Sequence, residues 1–162
     1  MNIIVNKKTG NINDFKPIVK INDNKYVISW GLSNAYKDIY NWNYFILDYK
    51  PSIKQLKDII ETYINENTKY SIINNFRWNG MQIYLSVENQ LNYKLLYEIT
   101  KIKNGDNLPV SLKFSVNRTP YYYTFETISD LEDFIINMYE HISKCLVNGN
   151  SIKESIDYNL YI

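Results

Sequence analysis

The sequence predicts an α+β fold: a helix–hairpin–helix–hairpin–helix module with an antiparallel sheet, preceded by a small β-rich N-terminal region. Three observations predict it. Apolar residues recur at three- and four-residue spacing in three segments that open near Ser52, Ser86 and Ser129. Two stretches of apolar–polar alternation, each interrupted by a turn signal, lie between those segments. The first 50 residues hold short β-prone runs and no long helical period. The organisation expected is therefore residues 1–50 as a β-rich docking region, 51–150 as the α+β core and 151–162 as a C-terminal tail.

In the first region, Asn2–Val5 reads as a strand entering a turn at Gly10. Lys25–Trp30 and Asn43–Tyr49 read as two further strands, and "GLSNAYKDIY" between them as a short helix or a loop. Pro51 marks a change of character. Ile53, Leu56, Ile59, Ile60, Tyr63 and Ile64 then form one apolar stripe. Ser52 with Gln55 three residues on is a capping-box pattern, which satisfies two free N–H groups at a helix start.

"SIINNFRW" and "MQIYLS" flank Asn79-Gly80. A type I′ hairpin turn needs positive φ at both central residues, and Asn and Gly tolerate this best. Ile72, Phe76 and Trp78 alternate on one arm; Met81, Ile83 and Leu85 alternate on the other. Ser86 is expected to cap a helix from about Val87 to Asn104, with Leu91, Leu95, Leu96, Ile99 and Ile102 buried and Gly105 as its stop. "PVSLKFSV", the turn "NRTP" and "YYYTFE" repeat the hairpin pattern. Ser129 with Glu132 reads as the cap of a third helix, buried through Leu131, Phe134, Ile135, Met138, Ile142 and Leu146 and ending at Gly149. A short last helix is expected from Ser151.

Charge and composition narrow the function classes. Eighteen basic against 17 acidic residues give a formal net charge of +1. That is not the basic footprint of a nucleic-acid binder, and no polybasic run points to a membrane surface. The N-terminus carries only a three-residue apolar run, so no secretory signal and no membrane span are expected. One cysteine, Cys145, excludes an internal disulfide and fits a reducing compartment. Asn, Ile, Lys and Tyr (23, 24, 16 and 16 residues) make up about half the chain, a bias that A/T-rich codons explain. Tyr or Asn at any one place therefore carries less weight than usual.

The constellations that could carry chemistry are thin. His141 and Cys145 are four apart on one helix, within reach of each other, yet no third group is marked to orient them. One His and one Cys cannot make a zinc cage, and no Asp-rich loop with a Gly bend appears for calcium. Five dispersed glycines form no phosphate loop. The expectation is no catalytic residue, no metal and no cofactor. Trp78, at the hairpin, either plugs a core or anchors a partner protein. Tyr121 and Tyr123, in the "YYYTF" run, either stack on a base or sugar or simply belong to a β-prone strand. Trp78, Asn79, Gly80, Ser86, Glu88, Asn89 and Gln90 read as a structural motif of turn plus helix start.

That motif carries a resemblance. Phe76, Trp78, Gly80, Ile83, Tyr84, Leu85, Ser86, Glu88, Asn89, Gln90, Tyr93 and Lys94 come first; Gly105, Leu108-Pro109-Val110 and Tyr122-Tyr123-Thr124-Phe125 follow in order. From about Ser52 to Asp157 the chain resembles a domain family of unknown biochemistry found in tail-associated proteins of tailed bacteriophages and prophages of Bacteroides-like gut bacteria. It departs from the family at Tyr84, where Trp is frequent. The resemblance implies a virion component made in the host cytoplasm: a non-enzymatic structural or adaptor subunit at the tail or its fibres. Its partners would be other phage virion proteins in a homo- or hetero-oligomer, with no nucleic acid and no membrane. The alternative is a glycan- or host-surface-binding module using exposed aromatics. An enzyme acting through Cys145 or Glu88 ranks last.

Overall fold

The computed structural model describes residues 3–116 and 119–162. The chain is α+β, with antiparallel sheets, the N-terminal strands first, and three α-helices among the described residues. It forms two compact units, Met1–Ile64 with Asn150–Ile162, and Asn65–Gly149.

The first unit is built on a four-stranded antiparallel sheet. Its strands are β1 (Asn6–Gly10), β2 (Ile18–Asn22), β3 (Lys25–Tyr36) and β4 (Ile39–Leu47), in the order β1-β4-β3-β2. Ile28 faces Phe45 and Tyr26 faces Leu47 across β3 and β4. With side chains alternating between faces, Ile28, Trp30, Phe45 and Leu47 share one side. They bury against Leu56, Ile60 and Ile64 of α1 (Ile53–Asn74). Tyr161, close to the C-terminus, is buried in the same cluster, and its hydroxyl donates to Ser29 O at 2.8 Å. Trp42 lies on the other face, nearly enclosed. Phe15 meets its ring edge-on, and a Cβ at Gly10 would come within 3.0 Å of it. Gly10 thus permits the close passage of an indole over a strand.

Several expectations are corrected here. The first strand is Asn6–Gly10, where a turn was expected, and Ile3–Val5 precede it. β2 was not anticipated. The ambiguous "GLSNAYKDIY" is neither helix nor loop: it continues β3 and turns at Lys37, at φ 49°, into β4.

The second unit contains the end of α1, two hairpins, α2 (Val87–Ile102) and most of α3 (Ile128–Glu154). β5 (Arg77–Trp78) pairs with β6 (Met81–Gln82), and β7 (Val110–Val116) with β8 (Thr119–Phe125). The two hairpins do not join into one sheet. The core comprises Phe76, Trp78, Ile83, Leu85, Tyr93, Phe114, Phe125 and the α3 residues Leu131, Phe134, Ile135 and Met138. It is aromatic at its centre: the Trp78 ring lies 5.1 Å from Phe134, 5.6 Å from Phe125 and 6.4 Å from Phe114, centroid to centroid. Such tilted and edge-on pairs add to what burial alone supplies.

The local signals at Ser52, Asn79-Gly80, Ser86 and Gly105 operate as the chemistry requires. The Ser52 amide donates to Gln55 Oε1 at 2.9 Å and the Gln55 amide to Ser52 Oγ at 3.3 Å, a complete capping box. Asn79 and Gly80 sit at φ 48° and 76°. A Cβ at Gly80 would meet nothing within 4 Å, so the requirement there is the sign of φ, not space. Gly105 adopts φ 87° after α2.

Other signals mislead. α1 continues to Asn74, through residues expected to be a strand, which leaves the first hairpin only two residues on each arm. α3 is capped by Thr127, whose Oγ1 accepts from the Asp130 amide at 3.1 Å, and not by Ser129. It passes through Gly149 without stopping and absorbs the separate helix expected from Ser151. Leu146 is exposed. On α2 the buried residues are Tyr93 and Thr100, while Leu91, Leu95, Ile99 and Ile102 are exposed. The turn expected at Asn117-Arg118 lies outside the described residues.

Candidate functional site

An α-helix leaves its last four carbonyls without partners inside the helix. At the end of α1 these belong to Ser71, Ile72, Ile73 and Asn74. Ser71 O accepts from the Asn75 amide at 3.0 Å, and the other three are engaged from elsewhere in the second unit. The Leu85 amide donates to Ile73 O at 2.8 Å, and Gln82 Nε2 donates to Asn74 O. His141 Nε2 lies 3.2 Å from both Ser71 O and Ile72 O. A carbonyl only accepts, so this ring nitrogen carries the imidazole proton.

The start of α2 is tied to the same stretch. Ser86 Oγ accepts from the Asn89 amide at 3.1 Å. Asn89 Nδ2 donates to Tyr84 O at 3.0 Å, and Gln90 Nε2 to Leu85 O at 2.8 Å. The Ile83 amide donates to Phe76 O at 2.9 Å. Leu85 therefore holds the end of one helix through its N–H and the start of the next through its C=O. Residues 71–90 are a helix-to-helix joint in which the amides of Gln82, Asn89 and Gln90 satisfy backbone acceptors. Glu88 is exposed in the first turn of α2, where a carboxylate complements the helix dipole. The sequence pairs His141 only with Cys145 and marks Gln82 only as a polar strand position; their bonds to the carbonyls of α1 depend on residues far along the chain and leave no local signal.

Of the aromatics, Trp78 plugs the core. Its indole is buried, and Nε1 donates to Asp133 Oδ2 at 2.9 Å. Tyr123 is half-buried, edge-on to Trp78 at 4.8 Å, with its hydroxyl 3.4 Å from Asp130 Oδ2. Burial, with Asp130 nearby, pushes the Tyr123 phenol up. Tyr121 and Tyr122 are exposed on β8. The structure thus brings Trp78 and Tyr123 together in the interior and leaves Tyr121 at the surface.

Cys145 Sγ lies 3.8 Å from His141 Nε2. That nitrogen carries a proton directed at two carbonyls, so it is not placed to accept the thiol's. Burial also pushes the Cys145 thiol up, away from thiolate. A second polar cluster joins α2 to α3. The Tyr97 hydroxyl donates to Glu132 Oε1 at 2.6 Å, and Lys101 Nζ lies 3.6 Å from the same oxygen. The Tyr97 hydrogen bond, with Lys101 beside it, holds the Glu132 carboxyl below its usual range, and the same bond to Glu132 raises the Tyr97 phenol against the opposing pull of Lys101. All three are satisfied by one another.

In the first unit, an open groove of about 380 Å³ lies on the Trp42 face of the sheet, lined by Lys8, Asp14, Lys16, Val27 and Tyr44. Trp42 lines it but is nearly enclosed. Among the described residues no group of three or more His, Cys, Asp and Glu is set to hold a metal ion, and no helix is long and apolar enough to cross a membrane. Comparison of the chain with protein-family models, curated proteins and solved structures returns no match.

Proposed function

We propose that the chain is a structural or adaptor subunit of a bacteriophage virion, associated with the tail or its fibres. The observation that supports this reading is the joint at residues 71–90. In the stretch that carries the family resemblance, Gln82, Asn89 and Gln90 are engaged with backbone carbonyls, and Phe76, Trp78 and Tyr93 lie in the core. Such a stretch supplies rigidity. Activity in a rigid body of this kind lies in the surfaces it presents to neighbours. The helix–hairpin–helix–hairpin–helix module is that body. The N-terminal strands supply a docking element, with Tyr36 and Ile39 exposed at the far end of the long β3–β4 hairpin.

Mass spectrometry and a density map of purified particles from the host that carries the gene test this proposal. The expected result is this polypeptide at a fixed copy number, in contact with other virion proteins. Complete particles that lack it overturn the proposal.

A second reading, a glycan- or host-surface-binding module, has the exposed Tyr121 and Tyr122 in its favour and the burial of Trp78 against it. A glycan array probed with the isolated chain tests it, and an array without signal sinks it.

A further inference from the structure

The side of α2 opposite Tyr93 and Thr100 carries Val87, Leu91, Leu95, Ile99 and Ile102, which are between 44% and 80% exposed. At about 100° per residue these five fall in one band of about 120°, centred diametrically across from the buried side. A surface helix normally turns charged residues outward there. Here the outer side is mostly apolar from the first turn to the last, with Glu88 and Glu98 the only charged residues inside the band.

We propose that this stripe is an interface with a second copy of the chain, α2 against α2, antiparallel about a two-fold axis at Leu95. Two features select this occupant. The first is register. With Leu95 on the axis, Leu91 lies level with the partner's Ile99, and Val87 with the end of the partner's helix beside Ile102. Every apolar residue of the stripe then meets an apolar residue.

The second feature is charge. Measured from the centre line of the stripe, Lys94 and Glu98 lie to one side and Glu88 and Lys103 to the other, the two glutamates within the band and the two lysines at its edges. A two-fold axis perpendicular to the helices sets each flank against its own reverse. Glu98 then meets the partner's Lys94, and Glu88 meets the partner's Lys103. Lys94 and Glu98 already lie 3.6 Å apart within one chain, both half-exposed and free to share a second partner. A parallel pairing about an axis along the helices would set opposite flanks against each other at equal height, losing both of these pairs, and would align the helix dipoles side by side. An isologous contact of this kind closes on itself and stops at the dimer. The bare apolar area is on the order of 500 Å², and the stems of the flanking side chains bring it near the roughly 800 Å² per partner of a standard interface.

The inference goes beyond the virion reading and does not rest on it, since a purified chain suffices to test it. Sedimentation velocity over a concentration series should show a monomer–dimer equilibrium. Leu95→Lys should raise the dissociation constant by about tenfold or more with an unchanged circular dichroism spectrum, because Leu95 makes little contact with its own core. Glu88→Lys and Lys103→Glu should each weaken the dimer, and an equimolar mixture of the two variants should restore it as a heterodimer. In a Cys145→Ser background, Leu95→Cys should cross-link copies on oxidation and Val87→Cys should not. A wild-type chain that stays monomeric to its solubility limit overturns the proposal and leaves the stripe to a different protein. A dimer indifferent to Leu95→Lys, or a mixture that fails to restore association, overturns it as well.

Discussion

The indole N–H of Trp78 donates to Asp133 Oδ2 at 2.9 Å, joining the first hairpin of the second unit to α3 across 55 residues of sequence. The ring is buried among Phe114, Tyr123, Phe125 and Phe134, while the carboxylate reaches it from the helix surface. Packing and hydrogen bond should separate by substitution. Trp78→Ala opens a cavity and should cost about 3–5 kcal/mol. Asp133→Ala leaves the N–H without its partner and should cost about 1 kcal/mol. Asp133→Asn keeps an acceptor oxygen and should stay within about 0.5 kcal/mol of the parent. Urea denaturation midpoints measure all three.

Gly149 sits inside α3, buried, where α3 passes α1. A Cβ added there would collide with Thr68 Oγ1 and reach Thr68 Cβ and Cγ2 at 3.4 Å. On propensity alone, Gly149→Ala should stabilise a helix interior by about 1 kcal/mol. The collision reverses that sign, and a net loss of about 1–2 kcal/mol is expected. Thr68→Ala removes the colliding oxygen, so the double variant should recover most of the loss. Thermal midpoints of the four proteins of this cycle give the coupling, expected at about 1 kcal/mol or more.

Burial pushes the Tyr93 phenol up to about 12 and raises Tyr161 further. The unfolded chain releases these protons near the ordinary value of 10.0, while the folded chain holds them. The stabilisation is therefore fully present below pH 10 and is lost as pH rises toward the folded values. The denaturation midpoint should begin to fall near pH 10, and Tyr161→Phe should flatten that fall. At neutral pH the same substitution removes the hydrogen bond to Ser29 O and should cost about 1 kcal/mol. Tyr93→Phe loses only a 3.4 Å contact with Lys113 O and should cost less.

Local chemistry was legible in the sequence at three places where a few adjacent residues decide the outcome, though not at Ser129, where Thr127 two residues earlier caps α3 instead. Ser52 with Gln55, Asn79 with Gly80, and Ser86 each act through neighbours within four positions, and each does in the structure what its chemistry requires. What depends on distant residues was not legible. The last turn of α1 reads as a strand because Ile72 and Ile73 favour one. It stays helical because Leu85, Gln82 and His141 satisfy its carbonyls, the last from 69 and 70 positions away.

The inversion of α2 has a similar cause. Periodicity locates apolar stripes, and α2 has two. Tyr93 and Tyr97 with Thr100 form the one that packs. The expected stripe of Leu91, Leu95, Ile99 and Ile102 is the purer of the two by hydrophobicity, and it faces outward. The buried side rests on Tyr93 and Tyr97, whose hydroxyls rank them below Leu and Ile by hydrophobicity.

The central physical claim is that the polar residues of the joint exist to satisfy helix ends. Denaturant unfolding of Ser86→Ala, Asn89→Ala, Gln90→Ala and His141→Phe, beside Glu66→Ala as the exposed control, tests it most directly. The first four should each lose about 1 kcal/mol, and Glu66→Ala should change by less than about 0.5 kcal/mol. If the four variants unfold at the same denaturant concentration as the parent, these side chains do not hold the helices, and the claim is contradicted.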